Sequence, residues 1–282
     1  MFVRDYMTKN VVTADTPANR DEILKILKRT GISGVPVMKD GKCIGIITRK
    51  DLLSNPHETQ IALLMTHDPI SISPDATLRE AADIIITNNI RRLPVIEDDK
   101  LIGLISVADL VGAVAQLKIK DEIKNRYIAR TFALWSETPL TIVGRIMEIA
   151  HVDAIAILDS ESRLEGIITE RDLIRCSCIE DDVEVSDFSN GTDDDEWTWE
   201  SIRDMHMISY GISRIQLPTK PVKLAMVKKV LAVPTNAGVS ECALKMKRGR
   251  VDQLPIINGD NRLVSMLYDR ELIRALLDYI PQ

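Results

Sequence analysis

Three short segments of this sequence set a hydroxyl three residues ahead of a carboxylate: Thr48 with Asp51, Ser106 with Asp109, and Thr169 with Asp172. Each closes an apolar run led by glycine, giving GIITRKDLL from Gly45, GLISVADLV from Gly103 and GIITERDLI from Gly166. Such a run predicts a strand turning into a helix. The first turn of that helix offers unpaired N–H groups and the positive end of its dipole, which favour phosphate. The hydroxyl can donate to a phosphate or ribose oxygen. An ionised Asp only accepts, so it can take hydrogen bonds from both hydroxyls of one ribose. These residue types describe a ribonucleotide site, with adenine between strands lined by small aliphatic residues. The same spacing is also that of a capping box, which needs no ligand. Three copies in register, each with Asp where a capping box favours Glu or Gln, weigh toward the ligand.

A phosphate also needs cations. Arg91 and Arg92, in IRRLPVIE, are the best pair. The equivalent positions in the other copies are Ser33 and Gly34, Asp153 and Ala154, and Asp252 and Gln253. Arg49, Lys50 and Arg171 lie inside the hydroxyl-to-carboxylate loops and could also reach phosphate. Two adjacent arginines entering a strand are equally compatible with solvated charge.

The elements that must position these groups repeat four times. A fourth, altered copy reads SMLYDRELI from Ser265, and the aligned acids Asp51, Asp109, Asp172 and Glu271 are 58, 63 and 99 residues apart. Each copy reads strand, helix, strand, strand, helix. In the second, Ile70 to Ser73 alternate like a half-buried strand. Thr77-Leu-Arg-Glu80 is a capping box opening a helix with Leu78, Ala81, Ala82 and Ile85 on one face. Leu93 to Ile96 and Leu101 to Ile105 are strands joined by a polar turn. Met7, Met65 and Met226 occupy matching positions ahead of three copies, and Tyr127 takes that place in the third. A unit of roughly 60 residues buries little alone, so paired units sharing a core are expected.

The expected segments are repeats at 1–60, 61–119, 120–179 and 221–282, with an insertion at 180–220. Between Arg175 and Arg203 the chain has no Lys or Arg and ten Asp or Glu, so the first half of the insertion reads as a solvated acidic loop. Its second half, near Asp195 to Ile215, sets Trp199, Ile202, Met205, His206 and Ile212 at helical spacing, which predicts a connecting helix closed by Pro218 and Pro221.

Composition bounds the rest. The chain has 282 residues, 45% hydrophobic and 28% charged, with a net charge of −6. Removing the acidic window leaves a mildly basic body, better suited to small anions than to a DNA backbone. No apolar run is long enough to cross a membrane, and the start lacks the apolar core of a signal peptide, so a cytoplasmic location is expected. The four cysteines are expected to be reduced, and the four scattered histidines form no metal-ligand motif. No nucleophile elbow, P-loop or other catalytic constellation is present, so the expectation is a binding protein and not an enzyme.

The segments MTKNVVTADTP, MTHDPISISPDATLREAADI, IRRLPVIEDDKLIGLIS and GIITERDLI together resemble cystathionine β-synthase (CBS) domains. The resemblance covers almost the whole chain apart from the insertion, and it extends to nucleotide-sensing regulatory subunits such as the gamma subunit of the AMP-activated protein kinase. It implies an α/β chain of α+β type: four β-α-β-β-α CBS repeats paired into two Bateman modules. It implies that AMP, ADP or ATP binds as a ligand, that Asp51 holds a ribose, and that Arg91 and Arg92 hold its phosphate. It also implies a protein partner or self-association, with membrane and nucleic-acid partners disfavoured. Rival readings are a sensor of S-adenosylmethionine or a dinucleotide, and a ligand-free oligomerisation or interaction module. The sequence departs from the family pattern in the third copy, with Ala156 for proline and bulky residues from Phe132 to Trp135 that would crowd a base. The fourth copy has Ser265, Tyr268 and Glu271. The tightest site is therefore expected in residues 1–119.

Overall fold

The computed structural model describes residues 1–123, 131–187 and 207–280. The first repeat runs β1 (Ala14–Asp15), α1 (Arg20–Thr30), β2 (Gly34–Lys39), β3 (Lys42–Thr48) and α2 (Arg49–Ser54). The second has α3 (Ile61–Leu64), β4 (Thr66–His67), α4 (Leu78–Thr87), β5 (Arg92–Glu97), β6 (Lys100–Ser106) and α5 (Val107–Val114). The third has β7 (Ala133–Trp135), α6 (Leu140–Ala150), β8 (Ala154–Leu158), β9 (Leu164–Thr169) and α7 (Glu170–Cys176). After β10 (Cys178–Asp187) and β11 (Met207–Gln216), the fourth has β12 (Val233–Pro234), α8 (Val239–Gly249), β13 (Gln253–Ile257), β14 (Leu263–Tyr268) and α9 (Asp269–Tyr279).

In each repeat the central strands form an antiparallel hairpin, with a bulge at one matching place: Val37/Met38, Val95/Ile96, Ile157/Leu158 and Ile256/Ile257. The first strand joins in parallel, as Ala14 beside Val37 or Ala133 beside Ala156. In the second repeat the expected Ile70–Ser73 strand shrinks to one bridge, Ile72 to Val95. Helix α4 opens with the Thr77–Glu80 capping box, and its Leu78, Ala81, Ala82 and Ile85 are buried. This is the pattern that one-sided helical spacing dictates.

The chain ahead of the first, second and fourth repeats docks on the sister repeat; Tyr127, ahead of the third, lies outside the described residues. Thr8 and Leu104 exchange two backbone hydrogen bonds of 2.9 Å, and Val3 sits in the second repeat's core. Strand β4 pairs with β3 of the first repeat, Gly45 opposite His67. Val227 bonds Ile167 in the same way. A Cβ on Gly45, Gly103 or Gly166 would collide with Sδ of Met65, Met7 or Met226 respectively. Glycine at the head of each strand and methionine in the lead-in are therefore one packing device.

Within the first module β3 packs on β6. The two modules meet through helices. On one side α4 and α5 pack on α8 and α9 and share a single core containing Leu110, Val111, Val114, Val239, Met246, Leu272 and Leu276. On the other side α1 and α2 meet α7: the cores of repeats 1 and 3 form two clusters, joined where Ile174 of α7 enters the first repeat's core and Leu53 of α2 packs on both. The base of the β10–β11 ribbon fills this second seam: Ile215 joins the first repeat's core, its N–H donates to Pro56 O at 2.9 Å, and Leu217 packs on the third repeat's core.

This ribbon corrects the expectation for residues 180–187 and 207–216 of the insertion. Cys178–Asp187 and Met207–Gln216 are an antiparallel pair in continuous register, not a loop and a helix. The physical reason is period: Ile179, Val183 and Val185, then Ile208, Tyr210 and Ile212, alternate with polar residues and are mostly β-branched or aromatic. The expected helical face at Trp199, Ile202, Met205 and His206 lies outside the described residues.

Candidate functional site

The hydroxyl-to-carboxylate loops sit where their sequence puts them, at the N-caps of α2, α5 and α7. Thr48 is extended (φ −124°, ψ 169°), and its N–H and Oγ1 both donate to Asp51 Oδ2 at 2.7 Å. Ser106 does the same to Asp109 at 2.8 and 2.6 Å, and Thr169 to Asp172 at 3.1 and 2.8 Å. Each loop is thus a capping box in geometry.

What distinguishes the copies is the second carboxylate oxygen. Asp172 Oδ1 is taken by Arg175 at 3.1 Å, and the carboxylate is buried. Asp51 Oδ1 accepts no hydrogen bond among the described residues. Burial lifts the Asp109 carboxyl, with the Ser106 bonds opposing. In the fourth copy Tyr268 makes no cap bond, and Glu271 turns to Arg274 at 3.1 Å.

A cavity of about 900 Å³ opens between the modules and brings together Thr48, Arg49, Lys50, Arg91, Arg92, Thr169, Arg171 and Asp172. That volume is in the usual range for a small-molecule site. Ile46, Pro69 and Ile70 give it an apolar wall beside the first repeat, and Ile167, Val230 and Leu231 one beside the third. Asp51 lies just behind this lining, close enough to Arg92 to act on its charge. Ser106 is outside the cavity. Asp109 borders a separate cleft of about 490 Å³ with Asp5, Tyr6 and Lys247. Phe132 and Trp135, expected to crowd a base, are exposed and outside the lining: β7 is an edge strand and turns them to solvent.

The arginine pair splits. Successive residues entering a strand point to opposite sides. Arg92 turns into the first module: it is 8% exposed, donates from Nη2 to Ser33 Oγ at 2.7 Å, and fills the space a Cβ on Gly34 would need. No carboxylate of the described residues lies within 4.0 Å of it. Burial, then repulsion from Arg91 and Arg49, pulls its guanidinium down to about 10. Arg49 is 4% exposed, bonds Gly31 O, and leaves Nε without a partner. It too is pulled to about 10, by burial and then by Arg171.

Arg91 turns the other way, to Asp269 at 2.6 Å, Asp153 at 3.4 Å and Asp252 at 4.0 Å. Burial lowers Arg91, but these carboxylates, Asp269 foremost, outweigh it and hold the group above its ordinary value. Asp153, at the third copy's equivalent of Arg91, is thus paired with Arg91 itself. Nearby, Glu170 is lifted to about 7 by burial and then by Asp153.

Sequence reasoning passed over Asp269, Asp252 and Glu170 as site residues. Asp269 and Glu170 hold the first helical position, where the first repeat has Arg49, so aligning the loops by charge would have found them.

The CBS domain family matches residues 3–58, 60–116, 126–178 and 222–278, and the chain belongs to that family. It is a tandem CBS protein of the Bateman-module kind. The crystal structure of MJ1225 from Methanocaldococcus jannaschii, described as a candidate archaeal homologue of g-AMPK, superposes with a TM-score of 0.76 at 18% identity, covering 98% of this chain and 100% of that one. In sequence MJ1225 is 26% identical over 196 residues, 61% of this chain and 69% of that protein. A conserved protein of Pyrococcus horikoshii gives a TM-score of 0.64 at 26% identity, covering 98% and 100%. MJ0188 from M. jannaschii is 30% identical over 126 residues, 44% of this chain and about half (48%) of that protein's length. Among the described residues no helix is long and apolar enough to cross a membrane, and no cluster of three potential metal ligands occurs.

Proposed function

We propose that this chain is a regulatory sensor that binds an adenine nucleotide (AMP, ADP or ATP) in the cavity between its modules and signals to a partner protein or a second copy. In this reading Asp51 Oδ1 takes the ribose hydroxyls and Thr48 supports ribose or phosphate. Ile46, Pro69 and Ile70 flank the base, and Arg92 holds the phosphate, with Arg49, Lys50 and Arg171 beyond it. Arg91 serves the opposite module. Thr169 and Asp172 form a second, weaker subsite, because Arg175 already occupies the carboxylate. Ser106 and Asp109 form a third that lacks a buried cation.

The observation that carries the reading is the pair Arg49 and Arg92. Both are buried in one cavity without a carboxylate partner. A buried charge is ordinarily paired, so an anion belongs there. A phosphate meets that need, whereas S-adenosylmethionine brings a further positive charge. The capping-box geometry favours a second reading, a ligand-free interaction module. Mass spectrometry of small molecules released from the purified chain, then calorimetric titration with AMP, ADP, ATP and S-adenosylmethionine, separates the two. Saturable binding of a phosphate-bearing nucleotide is expected; no binding at millimolar concentration would leave the interaction module standing.

A further inference from the structure

The cations of the cavity, two of them buried, form a series that one phosphate does not neutralise. Arg92 and Arg49 repel each other, and Arg49 in turn feels Arg171. Arg92 belongs to the second repeat, Arg49 to α2 of the first, and Arg171 to α7 of the third, so the series crosses from one module to the other. Arg49 lines the cavity with Nε unpartnered at 4% exposure, and none of the three has a carboxylate of the described residues within 4.0 Å. Carboxylates also stand near this path: Glu170, Asp252 and Asp172 act on Arg49, and Asp51 and Asp252 on Arg92, yet none lies within 4.0 Å of either guanidinium. Asp153 is held by Arg91, and Glu170 makes no ion pair among the described residues.

We propose that the ligand carries at least two phosphoryl groups, the first on Arg92 and the next on Arg49 and Arg171, so that its phosphate chain ties the two modules together. This rests on the nucleotide reading above and narrows it to a nucleoside di- or triphosphate. A single phosphate on Arg92 would leave Arg49 Nε buried and bare. A second phosphoryl group gives Arg49 an acceptor, and exposed Arg171 can swing onto its outer oxygens, the fork geometry that arginine provides for phosphate. Because α2 and α7 pack on each other, a phosphate chain shared by Arg49 and Arg171 would tie these two helices together.

The test is calorimetric titration of the full chain and of Arg171→Gln with AMP, ADP, ATP and inorganic tripolyphosphate at one fixed ionic strength. The parent should bind ADP and ATP about tenfold or more tightly than AMP, the scale of an added charge-assisted contact. Arg171→Gln, at an exposed position, should remove most of that advantage and leave AMP within about twofold, since screened surface charge acts weakly at a distance. Equal or tighter binding of AMP by the parent overturns the proposal, as does an Arg171→Gln loss that is the same for AMP as for ATP. Tripolyphosphate separates the two readings. If no nucleotide binds but tripolyphosphate binds and weakens in Arg171→Gln, the cation series stands and the nucleotide reading falls. If nucleotides bind without regard to phosphate count, the reverse holds. If nothing binds, both fall.

Discussion

Replacing Arg92 by methionine should make the ligand-free protein more stable while removing its grip on phosphate. Arg92 is 8% exposed, with one neutral hydrogen-bond partner. Its fall to about 10 from the ordinary arginine value corresponds to roughly 3 kcal/mol of native-state penalty on the charged form, at about 1.4 kcal/mol per tenfold. Methionine keeps most of the apolar stem and drops the charge. Against that gain stands the lost bond to Ser33, about 1–1.5 kcal/mol. The expected net is about 1–2 kcal/mol in favour of Arg92→Met, or roughly 2–8 °C in Tm for a chain of this size. Differential scanning calorimetry without ligand measures this. The same variant should bind AMP and ATP about 10- to 150-fold more weakly, and adenosine unchanged, because only the phosphate contact is lost. A lower Tm for Arg92→Met, or an equal loss for adenosine and AMP, would show that the guanidinium is structural glue and refute the argument.

Three other perturbations test the frame around the site. Gly45→Ala should destabilise the protein by about 1–2 kcal/mol through collision with Met65, and Met65→Ala in the same chain should recover part of it, read as a non-additive double-mutant cycle in urea. Glu170 is lifted to about 7 by burial, and then by Asp153, above its unfolded value. The native state therefore holds its proton more tightly, and the stability this contributes at pH 4 is lost as pH rises through 7. Tm of the parent should fall more steeply between pH 5 and 8 than that of Glu170→Gln, and parallel curves would contradict the assignment. Arg91→Ala strands Asp269, which is 2% exposed, and should cost about 3–5 kcal/mol, with hydrogen exchange rising first at the α4–α9 contact.

Much of this was legible in the sequence because it is local. A capping box such as Thr77–Glu80 is fixed by four consecutive residues, and α4's buried face by their spacing. The hydroxyl-to-carboxylate loops were located correctly for the same reason, at the ends of β3, β6 and β9. What sequence could not supply is which module a side chain faces. Arg91 and Arg92 look like one phosphate clamp, yet strand alternation sends them to opposite modules, and only the placement of Asp269, 178 residues away in sequence, makes the division visible. The Gly–Met pairing was half seen: the methionines aligned, but their contact with the sister repeat's glycine depends on the exchange of lead-in segments. At 207–216 a helical period was favoured over the alternation that the ribbon obeys, because the count included residues upstream of β11.

The two arginines also bear on how binding could be felt at a distance. Among the described residues, every ion pair joining the two modules runs through Arg91. Its neighbour Arg92 has no such partner, and the two repel each other. A phosphate on Arg92 would therefore do two opposing things at once. It would relieve Arg92's unpaired burial, and it would place negative charge near Asp252, which already acts on both arginines. The repeat 2–4 seam has one continuous core to absorb such a change, while the repeat 1–3 seam has two clusters joined by Ile174 and Leu53, with the ribbon base beside them.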